Sequence, residues 1–95
     1  MRFEWDPRKA ADNVRKHGVA FAHACRVFLD QYALSVFDSE HSEREDRWVT
    51  LGEVGARTIL VVHTYRKQDD EEVVRIISAR KATARERKQY QERRR

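Results

Sequence analysis

The sequence predicts an α+β fold, a small antiparallel sheet with an N-terminal helical hairpin on one face and a C-terminal basic helix across an edge or the other face. Three observations carry this. Apolar residues recur at helical spacing up to Phe28, and short apolar runs separated by polar or glycine-bearing turns fill Ala33 to Ala79. Thr83 and Glu86 then open a last helix-forming run. Ninety-five residues, 40% apolar and 38% charged, predict one domain over residues 1–95 with room for one core and one site. A chain of this length buries only about two thirds of the surface its unfolded form exposes.

Phe3 to Trp5 reads as a short extended opening. Asp6-Pro7 then starts a helix, the carboxylate accepting from free amides and Pro occupying the first helical position. The helix runs to His17 and stops at Gly18, with Arg15, Lys16 and His17 suited to the negative end of its dipole. Its apolar stripe is thin: Ala10, Ala11 and Val14. Phe21, Ala24, Cys25 and Phe28 mark a second helix, ended by Asp30-Gln31.

From there the period shortens. Ala33 to Phe37 and Glu43 to Val54 read as strands, and Gly52 and Gly55 bracket a hairpin turn. Arg57 to Tyr65, with Ile59 to Val62 apolar without a break, reads as a central strand buried on both faces. Residues 67–71 form a charged loop, Glu72 to about Ala79 a last strand, and the final helix spans roughly 84 to 93.

Charge is uneven along the chain. From Arg80 to Arg95 eight Lys or Arg stand against two Glu, a local +6 that leaves the preceding 79 residues at −2. A basic segment on a near-neutral body is the footprint of a nucleic-acid or acidic partner, with the residues beyond Tyr90 a solvated tail. A single Cys25 has no disulfide partner and suits a reducing cytoplasm. No signal-like opening or membrane-length apolar run is present, so a soluble cytoplasmic protein with no membrane partner is expected.

His17, His23, His41 and His63 show no paired metal-ligand spacing, and the sequence holds no phosphate-binding glycine loop and no nucleophile elbow. No metal or cofactor is expected. If the hairpin around residues 53–55 pairs residues whose numbers sum to 108, Glu45 faces His63 and Arg47 faces Val61. If the next pairs at a sum of 138, Arg75 faces His63 too, giving a polar row Glu45, His63, Arg75 flanked by Arg47 and Tyr65.

The exit from the last strand is the stronger candidate. Arg80 has a fixed root there, Arg85, Arg87 and Lys88 follow on the helix, Tyr90 lies a turn beyond Arg87, and Arg57 is expected nearby. Arg grips phosphate through two parallel hydrogen bonds, and Tyr stacks on a base or donates a proton. Such residues suit metal-independent RNA cleavage through the substrate's own 2′-hydroxyl, needing only proton transfer and cations for the phosphorane. Arg80 paired structurally with Glu86, and Tyr90 packed on the sheet, is the plainer alternative.

The stretches FEWDPRKAADNVRKHGVAFAHACRVFLD, DSEHSEREDRWVTLG and RIISARKATARERKQY resemble the BrnT family, the toxin component of BrnT/BrnA type II toxin-antitoxin systems. The resemblance implies a RelE-like ribonuclease that inhibits translation by cutting RNA. It also implies neutralisation by a BrnA antitoxin with a ribbon-helix-helix domain, and contact with operator DNA only through that antitoxin. Arg66 and Arg80 match basic positions of the family pattern, Glu45 and Arg47 its ExR element, and His41 a further position where it could simply order the turn.

The expected catalytic set is therefore Arg80, Arg66, Glu45, His63 and Tyr90, with RNA positioned by Arg47, Arg57, Arg75, Arg85 and Arg87. Arg66 and Arg80 nevertheless close opposite ends of one hairpin, roughly 20 Å apart at ~3.3 Å per strand residue. The competing class is a non-catalytic basic module that holds nucleic acid or an acidic partner, including a degenerate toxin kept as a co-repressor subunit.

Overall fold

The computed structural model describes residues 1–94; Arg95, the end of the expected tail, lies outside them. Strand β1 (Arg2–Glu4) leads into helix α1 (Pro7–His17). Asp6 caps that helix, accepting from the Arg8 amide at 2.8 Å, and Gly18 ends it in the left-handed region at φ 68° with its N–H on Val14 O. Only glycine takes that conformation without steric cost. Ala10 of the expected stripe packs against the core, but Ala11 and Val14 are exposed, so the stripe alone does not fix the docking of α1.

Asn13 does that work. Its side-chain amide donates to Val19 O and Ala79 O, both at 2.8 Å, and its carbonyl accepts from Ala79 N–H at 3.1 Å. A buried amide satisfied this fully fixes register as well as position.

Helix α2 (Phe21–Ala24) is one turn long and continues as a 3₁₀ segment, Cys25–Leu29, burying Phe21, Ala24 and Val27. Strands β2 (Leu34–Phe37), β3 (Trp48–Val54), β4 (Arg57–Gln68) and β5 (Glu71–Lys81) follow, then helix α3 (Ala84–Arg94). The five strands form one sheet in the order β1-β5-β4-β3-β2, so β4 is central, as its unbroken apolar run implies. β1 pairs parallel to β5, which makes the sheet mixed rather than antiparallel throughout.

Both hairpins are tighter than expected. β3 and β4 join through Gly55-Ala56, with Gly55 at φ 61°, and Gly52 lies inside the strand instead of bracketing the turn. A Cβ at Gly52 would stand 3.0 Å from Val27 Cβ, so this glycine lets the 3₁₀ segment lie close on the sheet. β4 and β5 join through Asp69-Asp70, both left-handed, which extends the two strands over most of the expected charged loop.

The observed pairing places Trp48 and Ile76 opposite His63, and Thr64 opposite Arg75, with Ile77 an extra residue on β5. Neither expected register holds, and the polar row Glu45, His63, Arg75 does not exist. Glu45 and Arg47 precede β3 in the loop from residue 38 to 47.

Each sheet face is covered differently. Val19, Phe21, Ala24 and Val27 pack with Val54, Ile59, Val61, Val74, Ile76 and Ala79 on the face under α1 and α2. The opposite face holds a smaller cluster, Leu51, Leu60, Ala82 and Tyr90, under α3. Because α3 covers only part of that face, an open groove remains beside it.

Candidate functional site

The groove, about 480 Å³, lies on the α3 side of the sheet. Leu34, Val36, Val49, Leu51, Leu60 and Val62 form its apolar floor. Arg80, Glu86 and Gln89 form one wall, and Asp38, Glu40 and His41 the other.

Arg80 reaches this face because it stands opposite Leu60 on β5. Its two terminal nitrogens bond the two oxygens of Glu86 at 2.8 and 3.0 Å, and Nη1 also donates to Lys81 O. Glu86 completes the expected capping box, accepting from Thr83 N–H at 2.8 Å while its own N–H donates to Thr83 Oγ1 at 3.1 Å. The Arg80 hydrogen bonds hold the Glu86 carboxyl down at about 2, and the same pair raises Arg80.

The guanidinium is pinned end-on, so its Nε–H and one Nη2–H have no partner among the described residues. Those two donors form the side-on fork that matches two oxygens of a phosphate.

Facing Arg80, the 38–47 loop is closed by its own hydrogen bonds. Asp38 N–H donates to Arg47 O at 2.8 Å, Ser42 Oγ donates to Asp38 O, and Arg47 N–H donates to Ser42 Oγ at 3.0 Å. Within the loop His41 Nδ1 lies 2.9 Å from Asp38 Oδ2, while the His41 side chain remains 63% exposed. A second cleft of about 290 Å³ adjoins His41, lined by Glu43, Arg44, Glu45 and Arg47 among others. Glu45 and Arg47 thus accompany His41, a partner that strand registers could not reveal.

The other expected residues lie elsewhere. His63 is fully buried, its Nε2 2.6 Å from Thr50 Oγ1 and its ring between Phe28 and Tyr65 at 4.9 and 4.8 Å; burial pushes its pKa down to about 4. Tyr90 is buried as well, and its hydroxyl donates to Asp30 Oδ2; burial and that carboxylate raise its pKa. Both are packed into the fold rather than presented to the groove.

Arg66 sits six residues along β4 from Arg80's partner Leu60, about 20 Å by strand rise. It pairs there with Glu4, which Arg75 also approaches at 3.5 Å, and Arg66 lowers the Glu4 carboxyl. Arg57 lies at the β3–β4 turn beside Lys81 and Arg87, outside the Arg80 groove, and Arg87 donates to Ala82 O. Arg85 is exposed on α3.

The Arg80 fork and the Asp38–His41 pair thus line one open groove on a small α+β protein. The comparison with protein families narrows the class. The family described as "Ribonuclease toxin, BrnT, of type II toxin-antitoxin system" matches residues 5–86, and the chain belongs to it. A search of curated proteins found no match.

Proposed function

We propose that the protein is a metal-independent endoribonuclease toxin whose active groove is the one between α3 and the 38–47 loop. The observation that carries this is the free side-on fork of Arg80, held in place by Glu86 over an apolar floor. Arg80 contacts the scissile phosphate and stabilises the charge of the phosphorane, while Arg47 and Arg85 position the flanking RNA. The apolar floor accommodates a base removed from its stack. Cleavage of RNA in the cytoplasm arrests translation, and a BrnA-type ribbon-helix-helix antitoxin neutralises the toxin and carries the pair to operator DNA.

Incubation of the purified protein with an RNA oligonucleotide in EDTA should give fragments ending in 2′,3′-cyclic phosphate. Arg80→Ala should slow cleavage by about 10²–10³-fold, the loss usual for removing one transition-state donor, at little change in thermal midpoint. Intact RNA with measurable binding would instead support the non-catalytic module. Mixing with a BrnA-type antitoxin should abolish cleavage, and operator DNA should shift only with both proteins present.

A further inference from the structure

We propose that His41, oriented by Asp38, is the general base that removes the proton from the substrate 2′-hydroxyl. This rests on the ribonuclease reading of the groove and goes beyond it by assigning the proton-transfer group. Three observations support it. His41 and Arg80 line one groove, from opposite sides of its apolar floor. The carboxylate of Asp38, 2.9 Å from Nδ1, favours the tautomer with its proton on Nδ1 and leaves the Nε2 lone pair free on a solvent-exposed ring. Asp38 is itself fixed in the loop, its N–H donating to Arg47 O and its carbonyl accepting from Ser42 Oγ.

Elimination leaves few rivals. Glu86 is held ionised by Arg80 with both oxygens engaged, which makes it a weak base. His63 is buried and Tyr90 is committed to Asp30. Glu40, on the same wall, has no hydrogen bond among the described residues that would orient it.

The step balances without a redox partner. The 2′-O–H proton passes to Nε2 of His41 as the 2′-oxygen forms its bond to phosphorus. The bond from phosphorus to the 5′-oxygen then breaks, and that oxygen takes a proton from water. The imidazolium returns its proton to the resulting hydroxide, leaving a 2′,3′-cyclic phosphate and a 5′-hydroxyl.

The test uses the whole protein and an RNA oligonucleotide under single-turnover conditions in EDTA. His41→Ala should slow cleavage by about 10²–10⁴-fold with an unchanged thermal midpoint, and added imidazole should restore part of the rate. Asp38→Asn should slow it by about 10–100-fold, as loss of an orienting partner does. A substrate with sulfur in place of the bridging 5′-oxygen, whose leaving group needs no proton, should leave the His41→Ala defect in place.

Cleavage by His41→Ala at the wild-type rate, a defect that imidazole does not touch, or full rescue by the sulfur substrate would each overturn the assignment. If wild-type protein cleaves nothing, the ribonuclease reading itself falls and this assignment with it. If the wild type cleaves and His41→Ala matches it, only the general base is lost.

Discussion

His63 shows how a single buried titratable group ties stability to pH. Its ring lies fully buried between Phe28 and Tyr65, with Nδ1 lacking a partner, so folding holds it neutral and its pKa near 4 against an ordinary 6.5. Between those values the unfolded chain binds a proton that the native one refuses. Stability is full above about pH 6.5 and should fall by about 1.4 kcal/mol per pH unit down to about pH 4. His63→Phe keeps a ring beside Phe28 and Tyr65, leaves Thr50 its 2.7 Å bond to Ser35, and should flatten that slope. Urea unfolding at several pH values across this window checks it, and an equally steep fall in the variant would sink the idea. The residue's burial was not legible in the sequence because its partners depend on register. Two-residue turns at Gly55-Ala56 and Asp69-Asp70 set the pairing, and the odd shift from the expected β3–β4 register exchanged the polar partners for Trp48. Asp-Asp is not a pair that announces such a turn, since both residues must adopt positive φ.

Helix α3 is an element joined to the sheet mainly by polar contacts. Among its described residues only Tyr90 is buried, and the rest of its attachment comes from the Arg80–Glu86 pair, Arg93 Nε–H on Tyr32 O at 3.1 Å, and Arg94 on Glu53 at 3.2 Å. Asp30 is the anchor, accepting from Tyr90 Oη and from the amides of Tyr32 and Glu53. Tyr90→Phe removes one hydrogen bond to a carboxylate that keeps its two amide donors, and should cost about 1–2 kcal/mol. RNA cleavage should stay within about twofold of wild type, since a side chain used for docking leaves kcat alone. A large kcat loss at unchanged stability would restore Tyr90 to the chemistry. Much at this scale was readable: the Asp6 cap, the Gly18 stop and the Thr83–Glu86 box are local patterns with local causes. Asn13 and Asp30 were not, because a polar residue that substitutes for apolar packing leaves no periodic signal. Glu86 has a second use that the plainer reading of the sequence also held, pinning the guanidinium of Arg80 from six residues away.

At the scale of the molecule, charge is sorted by position on the sheet rather than by sequence segment. Arg66, Arg75 and Glu4 form a cluster at one end of the α3-side face and Arg80 stands about 20 Å away at the other, while the 38–47 loop leaves β2 and β3 toward the Arg66 end, with His41 also lining the Arg80 groove. The sequence showed the excess of positive charge, the family resemblance pointed to Arg66 and Arg80 together, and the chain path keeps the separation of about 20 Å that strand spacing already set between them, so one phosphate cannot touch both. An RNA strand following the groove would cross Arg80 and His41 and leave over the cleft at Arg47, whereas Arg66, further along β4, is already committed to Glu4. Binding should therefore weaken with salt, and Arg47→Ala should reduce the slope of log K against log salt by about 0.7, the value for losing one phosphate contact to a single strand. Arg66→Ala, which breaks an exposed ion pair, should leave that slope and the cleavage rate within error of wild type. Equilibrium binding to a cleavage-resistant 2′-deoxy-substituted oligonucleotide at several salt concentrations measures both slopes. Should Arg66→Ala lower the slope while Arg47→Ala leaves it unchanged, the RNA path runs over the Arg66–Glu4 cluster instead of the 38–47 cleft, and the groove beside α3 loses its claim to the substrate.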